Sequence, residues 1–195
     1  MKKFFTTILT VAMLSLLTFT TMTSATGSDY GSGGAQTKDS FTLEEMLVYA
    51  IQDEYVARAE YVKIMEVYGV QKPFSNIKMS EENHIAMLKP VFANHGIPLP
   101  ADTSADHVVV PSSLLEAYKT GVQAEINNIA MYDKFLEQVL PADVRSVFIK
   151  LRDASFNHLN AFQNKVNQAE GTSGGGGGGH GGGNGGGGGG YRGGR

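Results

Sequence analysis

The sequence contains no cysteine, and this absence excludes several classes of protein. Without thiols the chain has no disulfide framework, no lipid-modified N-terminal cysteine and no thiolate ligand for a metal. The chain also has no large excess of one charge, because its 16 Lys and Arg residues nearly balance its 19 Asp and Glu residues, for a formal net charge of −3. This balance gives no basic footprint for nucleic acid. Alternation with period two is absent from any long segment, although residues 107–110 could form a short strand.

The one long apolar run lies at the N-terminus. Residues 1–25 are expected to be a secretory signal peptide, because two lysines precede the run and Thr23-Ser24-Ala25 offers a small-residue cleavage site. A membrane anchor is the alternative, but no basic stop-transfer flank follows. The predicted localisation is therefore secreted or periplasmic, with no membrane association after cleavage.

Glycine is concentrated in two segments outside the central part of the chain. Glycine loses the most backbone entropy on ordering and has no side chain to bury. The composition therefore predicts a flexible linker over residues 26–39 and a disordered tail over residues 169–195.

Residues 40–168 are expected to form one all-α domain. Glycine and proline are sparse there and divide the segment into four long stretches of helical periodicity. Thr42 with Glu45, and Ser113 with Glu116, fit capping boxes at two of the helix starts. The predicted helices cover about residues 41–68, 75–95, 113–139 and 141–168.

The lengths of the connections predict how these helices are arranged. The short first and last connections indicate two antiparallel hairpins. The middle connection takes roughly fifteen residues and is rich in proline and polar groups. One long crossover between two hairpins is typical of a ferritin-like four-helix bundle, whereas a simple up-and-down bundle has three short loops.

Each predicted helix places a glutamate or a histidine in the middle of its apolar stripe, where positions three, four and seven apart share a face. A lone buried carboxylate is costly, so any one such residue would indicate a misjudged register. Four helices with the same feature indicate one polar layer, in which a divalent cation would compensate the charge. A metal-free Glu–His hydrogen-bond network stays open as the alternative. The residues are Glu54, Glu81, His84, Glu125 and His158.

The other acidic residues and histidines considered lie off these stripes, near helix ends, or outside the helices. We expect them to be capping or solvent-exposed groups. They are Glu44, Glu45, Glu60, Glu66, Glu82, Glu137, Asp143, His107 and His180.

The pattern resembles that of the ferritin-like di-metal carboxylate proteins, rubrerythrin among them. These carry one glutamate on each of two helices and Glu-x-x-His on each of the other two. Glu54 and Glu125 match the single glutamates, and Glu81-Glu82-Asn83-His84 matches one tetrad. More narrowly, residues 53–58, 74–84 and 155–162 resemble an uncharacterised bacterial and archaeal ferritin-like family, a domain of unknown function. The resemblance covers residues 41–166.

This resemblance implies metal ligands at Glu54, Glu81, His84, Glu125 and His158. The chain departs from the pattern at Ser155, which stands where the second tetrad has glutamate. Three carboxylates in place of four should weaken a second metal site and put O₂-activating di-iron chemistry in doubt. Ser155 and Asn128 are expected beside the ligands, and Asn128 offers a carbonyl oxygen.

Two functions follow from these features. The first is an exported protein that holds one or two iron or manganese ions, with zinc as an open alternative, and performs oxidase- or ferroxidase-type redox chemistry. Tyr61 and Tyr132 would lie within electron-transfer reach of that site. The second is a non-catalytic exported binding or structural module with a metal-free polar core. Metal ions are the expected partners, nucleic acid is not, and a homodimer stays open.

Overall fold

The computed structural model describes residues 29–171, and every regular element in that part of the chain is helical. The all-α prediction is therefore confirmed, and residues 107–110 do not form the short strand. The predicted signal peptide and residues 172–195 of the predicted tail lie outside the described residues. None of the helices within 29–171 is long and apolar enough to span a bilayer. The elements are α1 (Gly31–Gln36), α2 (Leu43–Tyr68), α3 (Phe74–Asn94), a 3₁₀ turn (Ser104–Asp106), α4 (Leu114–Leu136) and α5 (Ala142–Ala169).

The four long helices begin and end within about three residues of the predicted positions, because local signals define them. At the start of α2, Thr42 Oγ1 accepts a hydrogen bond from Glu45 N at 3.2 Å, and Glu45 Oε2 accepts one from Thr42 N at 2.8 Å. This confirms the first capping box. At α4, Ser113 accepts from Glu116 N at 3.2 Å, which is one half of the second. Gly69, with φ 63°, ends α2 in the left-handed conformation.

The long helices form two hairpins, with α2 packed against α3 and α4 packed against α5. Smaller contacts join α2 to α4 and α3 to α5. Two apolar clusters lie at opposite ends of this assembly. The larger cluster includes Leu47, Leu88, Phe135 and Phe148, and the smaller includes Tyr61, Phe74, Tyr118 and Phe162.

Each long helix therefore crosses from one apolar cluster to the other. The N-terminal parts of α2 and α5 lie in the larger cluster, whereas α3 and α4 reach it with their C-terminal parts. Hence α3 and α4 run in the same direction, which the long connection between them allows. On every long helix, the buried polar residues of that helix lie between the two apolar clusters.

The predicted flexible linker is wrong for residues 31–36, which form α1 and pack against α2 and α4. Gly31 N donates to Gln52 Oε1 at 3.1 Å, and Ser32 N donates to Asp53 Oδ1 at 2.7 Å. A Cβ atom on Gly34 would lie 2.6 Å from a ring carbon of Tyr49. Glycine thus permits a close approach of the α1 backbone to the Tyr49 ring, and the gain from that packing offsets its entropy cost.

Two residues expected at the surface are instead covered by neighbouring segments. Glu60 is half-buried under the α3–α4 connection, where its Oε1 accepts from Val109 N at 3.3 Å. Burial raises the pKa of Glu60 to about 7. His107 is half-buried because its ring stacks on Tyr30, with ring centroids 3.8 Å apart. The exposed position predicted for Glu82 is confirmed.

Candidate metal centre

The structure brings together the five ligand candidates predicted from the sequence. They come from all four long helices, and each is at most 7% exposed. Their donor atoms form two triads, within each of which all atoms lie within 4.8 Å of one another. The first triad is Glu54, Glu81 and His84, and the second is Glu81, Glu125 and His158. We refer to these five residues as the Glu–His cluster.

Glu81 belongs to both triads because its two oxygens face different histidines. Its Oε2 lies 2.7 Å from His84 Nδ1, and its Oε1 lies 3.2 Å from His158 Nδ1. The outer carboxylates complete the triads, with Glu54 Oε2 at 2.9 Å from His84 Nδ1 and Glu125 Oε1 at 3.4 Å from His158 Nδ1. Glu81 thus lies between the two histidines and contacts both.

Protons on the two histidines compensate part of the negative charge of the cluster when no metal is bound. Burial lowers the pKa of His84, but Glu54 and Glu81 outweigh burial and raise it to about 10. Burial likewise opposes the charged form of His158, and Glu125 and Glu81 raise its pKa to about 9. Both imidazoles are therefore cationic at neutral pH and compensate two of the three carboxylates. A metal would have to displace these protons.

The pKa values of the two carboxylates in the first triad are shifted in opposite directions. Burial and the neighbouring charge of Glu81 raise the pKa of Glu54 to about 7. Burial also acts to raise the pKa of Glu81, but the facing imidazoles of His158 and His84 outweigh it, so its pKa is lowered. Glu81 is thus the carboxylate most firmly held in its charged form.

The residues present fit a metal ion on two observations. His158 Nδ1 is buried without a hydrogen-bond partner among the described residues, although it faces two carboxylates, and such orphaned polar atoms are uncommon. His84 Nε2 lies 3.1 Å from Ser80 Oγ, so its outer nitrogen has a partner while Nδ1 faces the cluster. A donor set of three carboxylates and two imidazoles suits iron, manganese or zinc.

Two buried tyrosines hold the outer carboxylates from across the core. Tyr132 OH donates to Glu54 Oε1 at 2.8 Å, and Tyr61 OH donates to Glu125 Oε1 at 3.2 Å. Burial and the adjacent carboxylates raise the pKa of both phenols well above the usual value. Both hydroxyls therefore stay protonated and orient one oxygen of each glutamate.

The sequence analysis missed the role of Asp53, whose side chain begins a chain of hydrogen bonds beside the cluster. Asp53 accepts from Ser32 N of α1 and from Asn128 Nδ2 of α4. Asn128 Oδ1 in turn accepts from Ser155 Oγ at 2.6 Å, so the carbonyl oxygen offered as a ligand is engaged with Ser155. Burial raises the pKa of Asp53. Its position beside Glu54 is a signal present in the sequence, but the composition of the segment that donates to it is typical of a linker.

A small cavity adjoins the cluster between α2 and α4, with Ser155 of α5 in its wall. Its volume is about 20 Å³, enough for one water-sized molecule. The half-buried Ala57 and Ala124 are the smallest residues in the lining. The lining residues are Asp53, Glu54, Ala57, Tyr61, Glu81, Ala124, Glu125, Asn128 and Ser155.

Comparison with known proteins finds relatives of the helical domain. A family described as an uncharacterized protein domain (DUF2202) matches residues 44–173. The uncharacterized protein MJ0754 of Methanocaldococcus jannaschii is 25% identical over 139 residues, covering 64% of this chain and 75% of its own. The crystal structure of hypothetical protein MJ0754 resembles this one with a TM-score of 0.59 at 24% identity, covering 68% of this chain and 85% of that chain. The structural likeness shows the fold alone. Helix α1 lies outside the residues that the family matches.

Proposed function

The chain belongs to the family of the uncharacterized protein domain DUF2202, and we propose that it binds iron or manganese in the Glu–His cluster of a ferritin-like four-helix bundle. The observation that carries the proposal is the pair of triads that share Glu81. Buried carboxylates are stable only when paired, hydrogen-bonded or bound to a metal, and this cluster assembles three of them with two imidazoles.

The topology supports the ferritin-like part of the proposal. Two helical hairpins are joined by one long connection, and the middle of every long helix supplies at least one member of the cluster. The layer of polar residues is buried and has apolar clusters on both sides. Such a position favours tight binding of a divalent cation.

For the case of two ions, we divide the ligands between the two triads. Glu54 and His84 would hold one ion, Glu125 and His158 the other, and Glu81 would contact both. Bound iron or manganese would supply one-electron chemistry of the oxidase or ferroxidase type, while zinc would supply none. Tyr61 and Tyr132 would keep the outer carboxylates in position through the hydrogen bonds already present.

Export is part of the same proposal and is supported by the sequence of residues 1–25, with two lysines, an apolar run and a small-residue cleavage site. The metal would then be bound in a secreted or periplasmic protein. N-terminal sequencing of protein recovered outside the cytoplasm should find a mature chain that begins near residue 26. Recovery of the protein with residues 1–25 intact would count against cleavage.

One observation favours the second candidate, a non-catalytic module with a metal-free polar core. Protonated His84 and His158 already compensate two of the three carboxylates, and Ser155 hydrogen-bonds to Asn128 and to Leu151 O. The hydrogen-bonded cluster would then specify the alignment of the four helices without any ion.

Metal content of the purified full chain, measured by plasma mass spectrometry, separates the two candidates. Wild type should carry near-stoichiometric iron or manganese, and Glu54→Ala and His84→Ala should each carry about half as much, because each removes a ligand of the first triad only. Glu82→Ala is the matched control, since Glu82 neighbours Glu81 but is exposed, and it should retain the metal. A folded wild type that stays empty after reconstitution with iron, manganese and zinc would contradict the proposal and leave the metal-free module.

A further inference from the structure

Asp53 is a fourth carboxylate at the edge of the Glu–His cluster, although it belongs to neither triad. Together with the three glutamates of the cluster, it lines the small cavity between α2 and α4. Ser155 of α5 lies in the wall of the same cavity, and Asn128 hydrogen-bonds to both Asp53 and Ser155. Helix α5 contributes His158 but no carboxylate to the triads. The fourth carboxylate of this region therefore comes from α2.

The charge balance of a loaded cluster gives this carboxylate a role. Two divalent ions bring four positive charges, and the three glutamates neutralise three of them once both histidines are neutral ligands. The Asp53 carboxylate supplies the fourth negative charge, at the border of the cavity that all three glutamates share. Because an uncompensated charge is costly in a buried site, this fourth carboxylate favours occupation of both positions.

Helices α1 and α4 hold Asp53 in this place. Its Oδ1 accepts from Ser32 N at 2.7 Å, and its Oδ2 accepts from Asn128 Nδ2. Two accepted hydrogen bonds suit an ionised carboxylate, which is an acceptor at both oxygens. The α1 backbone lies against the carboxylate, since a Cβ on Gly31 would come within 2.7 Å of Asp53 Oδ1. The segment that orients Asp53 thus lies outside the residues that the family matches.

We propose that Asp53 is the charge-compensating carboxylate of the metal centre, and that its charge lets the cluster hold two divalent ions at once. This inference rests on the proposed metal binding and adds a residue to it that is not a ligand. Asp53 acts through its charge beside the ions, because both of its oxygens are engaged by Ser32 and Asn128.

Asp53→Asn removes the charge while the hydrogen bonds can be kept. The amide oxygen of the variant can accept from Ser32 N in the same way. The Asn128 amide can turn over, so that its oxygen accepts from the variant and its NH₂ group donates to Ser155 Oγ. That hydroxyl can accept because it has a second acceptor for its own proton in Leu151 O, at 3.1 Å. We therefore expect a folded variant that binds one ion per chain where wild type binds two.

Manganese per folded chain, measured by plasma mass spectrometry on the full chain after unbound metal is removed, tests the inference. Wild type should hold two ions and Asp53→Asn one. Ser155→Glu added to Asp53→Asn places a carboxylate at the same cavity from α5, and it should return the count to two. Ser155→Gln added instead is the matched control, since it has the same size without the charge, and the count should stay at one.

Asp53→Ser is a second neutral variant if Asp53→Asn does not fold, because its hydroxyl can still accept from Ser32 N, and it should also hold one ion. A wild type that loads no manganese would overturn the proposed function and this inference with it. A wild type with a single ion, or a folded neutral variant that still holds two, would overturn the inference alone. So would a folded double variant with Ser155→Glu that stays at one ion, or equal restoration by Ser155→Gln, since charge would then not decide the count.

Discussion

At the scale of single residues, Glu81 has the most demanding position, because its two oxygens face two different imidazoles. Glu81→Gln should remove metal from both triads, whereas Glu54→Gln leaves the second triad complete and should remove about half of the metal. Metal content per chain measures the difference. Glu82→Gln controls for loss of one carboxylate on the same helix. Equal losses in the Glu81 and Glu54 variants would show that Glu81 is not shared.

The hydroxyl of Tyr132 matters through the carboxylate that it orients. Tyr132→Phe removes the donor to Glu54 Oε1 and leaves a buried oxygen unsatisfied, which should cost about 1–3 kcal/mol of unfolding free energy. Urea unfolding with EDTA present, at pH 8 where Glu54 is charged, would measure this cost in the metal-free protein. Unchanged stability would mean that the bond to Glu54 makes no net contribution.

Protons held by the two histidines couple metal binding to pH. Neighbouring carboxylates raise the pKa of His84 to about 10 and that of His158 to about 9, so both are protonated at pH 7 in the metal-free protein. A metal binds only the neutral imidazole, so loading should release about two protons, and affinity should fall as the pH falls. Calorimetry at pH 7 in buffers of different ionisation enthalpy measures the number of protons released on metal binding. A heat of binding independent of the buffer would contradict this prediction.

The sequence was sufficient to predict which residues form the cluster, because helical periodicity reports which face of each helix is apolar and which polar groups interrupt it. The same reasoning could not place Asp53 or Glu60. Their environments depend on segments that pack across α2 from outside the helix, namely α1 and the α3–α4 connection. Periodicity along one helix contains no information on such segments.

At the scale of elements, the long helices were predictable and α1 was not. Helix ends depend on local signals such as the Thr42–Glu45 capping box and the left-handed Gly69. Helix α1 has no such signal, because four of its six residues are glycine or serine and its N-cap makes no side-chain hydrogen bond. Tertiary contact with Tyr49, Gln52 and Asp53 stabilises it.

Two neighbouring glycines test how closely α1 is packed. A Cβ on Gly34 would lie 2.6 Å from the Tyr49 ring and 3.0 Å from the backbone of Asp29, whereas one on Gly33 would meet nothing within 4 Å. Gly34→Ala should therefore cost roughly 1–3 kcal/mol of local stability, and Gly33→Ala should be neutral or slightly stabilising. Amide hydrogen exchange across α1 compares the two variants. Equal protection in both would show that α1 does not pack tightly on α2.

At the scale of the whole molecule, the Glu–His cluster is the polar layer between two apolar clusters and the point at which both hairpins meet. The first triad joins α2 to α3 within one hairpin, and the second joins α3 to α4 and α5 across the two. Contacts between the hairpins are fewer than those within each hairpin. An ion in the second triad would therefore strengthen the weaker of the two kinds of interface.

Metal should accordingly stabilise the fold as a whole. Ligands from four helices are assembled only in the folded chain, so each bound ion, at a free concentration a hundredfold above its Kd, should add about 2.7 kcal/mol to the unfolding free energy. For a domain of this size that corresponds to a rise in Tm of roughly 5–10 °C. Calorimetric scans with manganese and with EDTA would measure the rise. Glu81→Gln should lose it while Glu82→Gln keeps it, because only Glu81 is shared by both triads. A rise of equal size in both variants would place the stabilising ion outside the cluster.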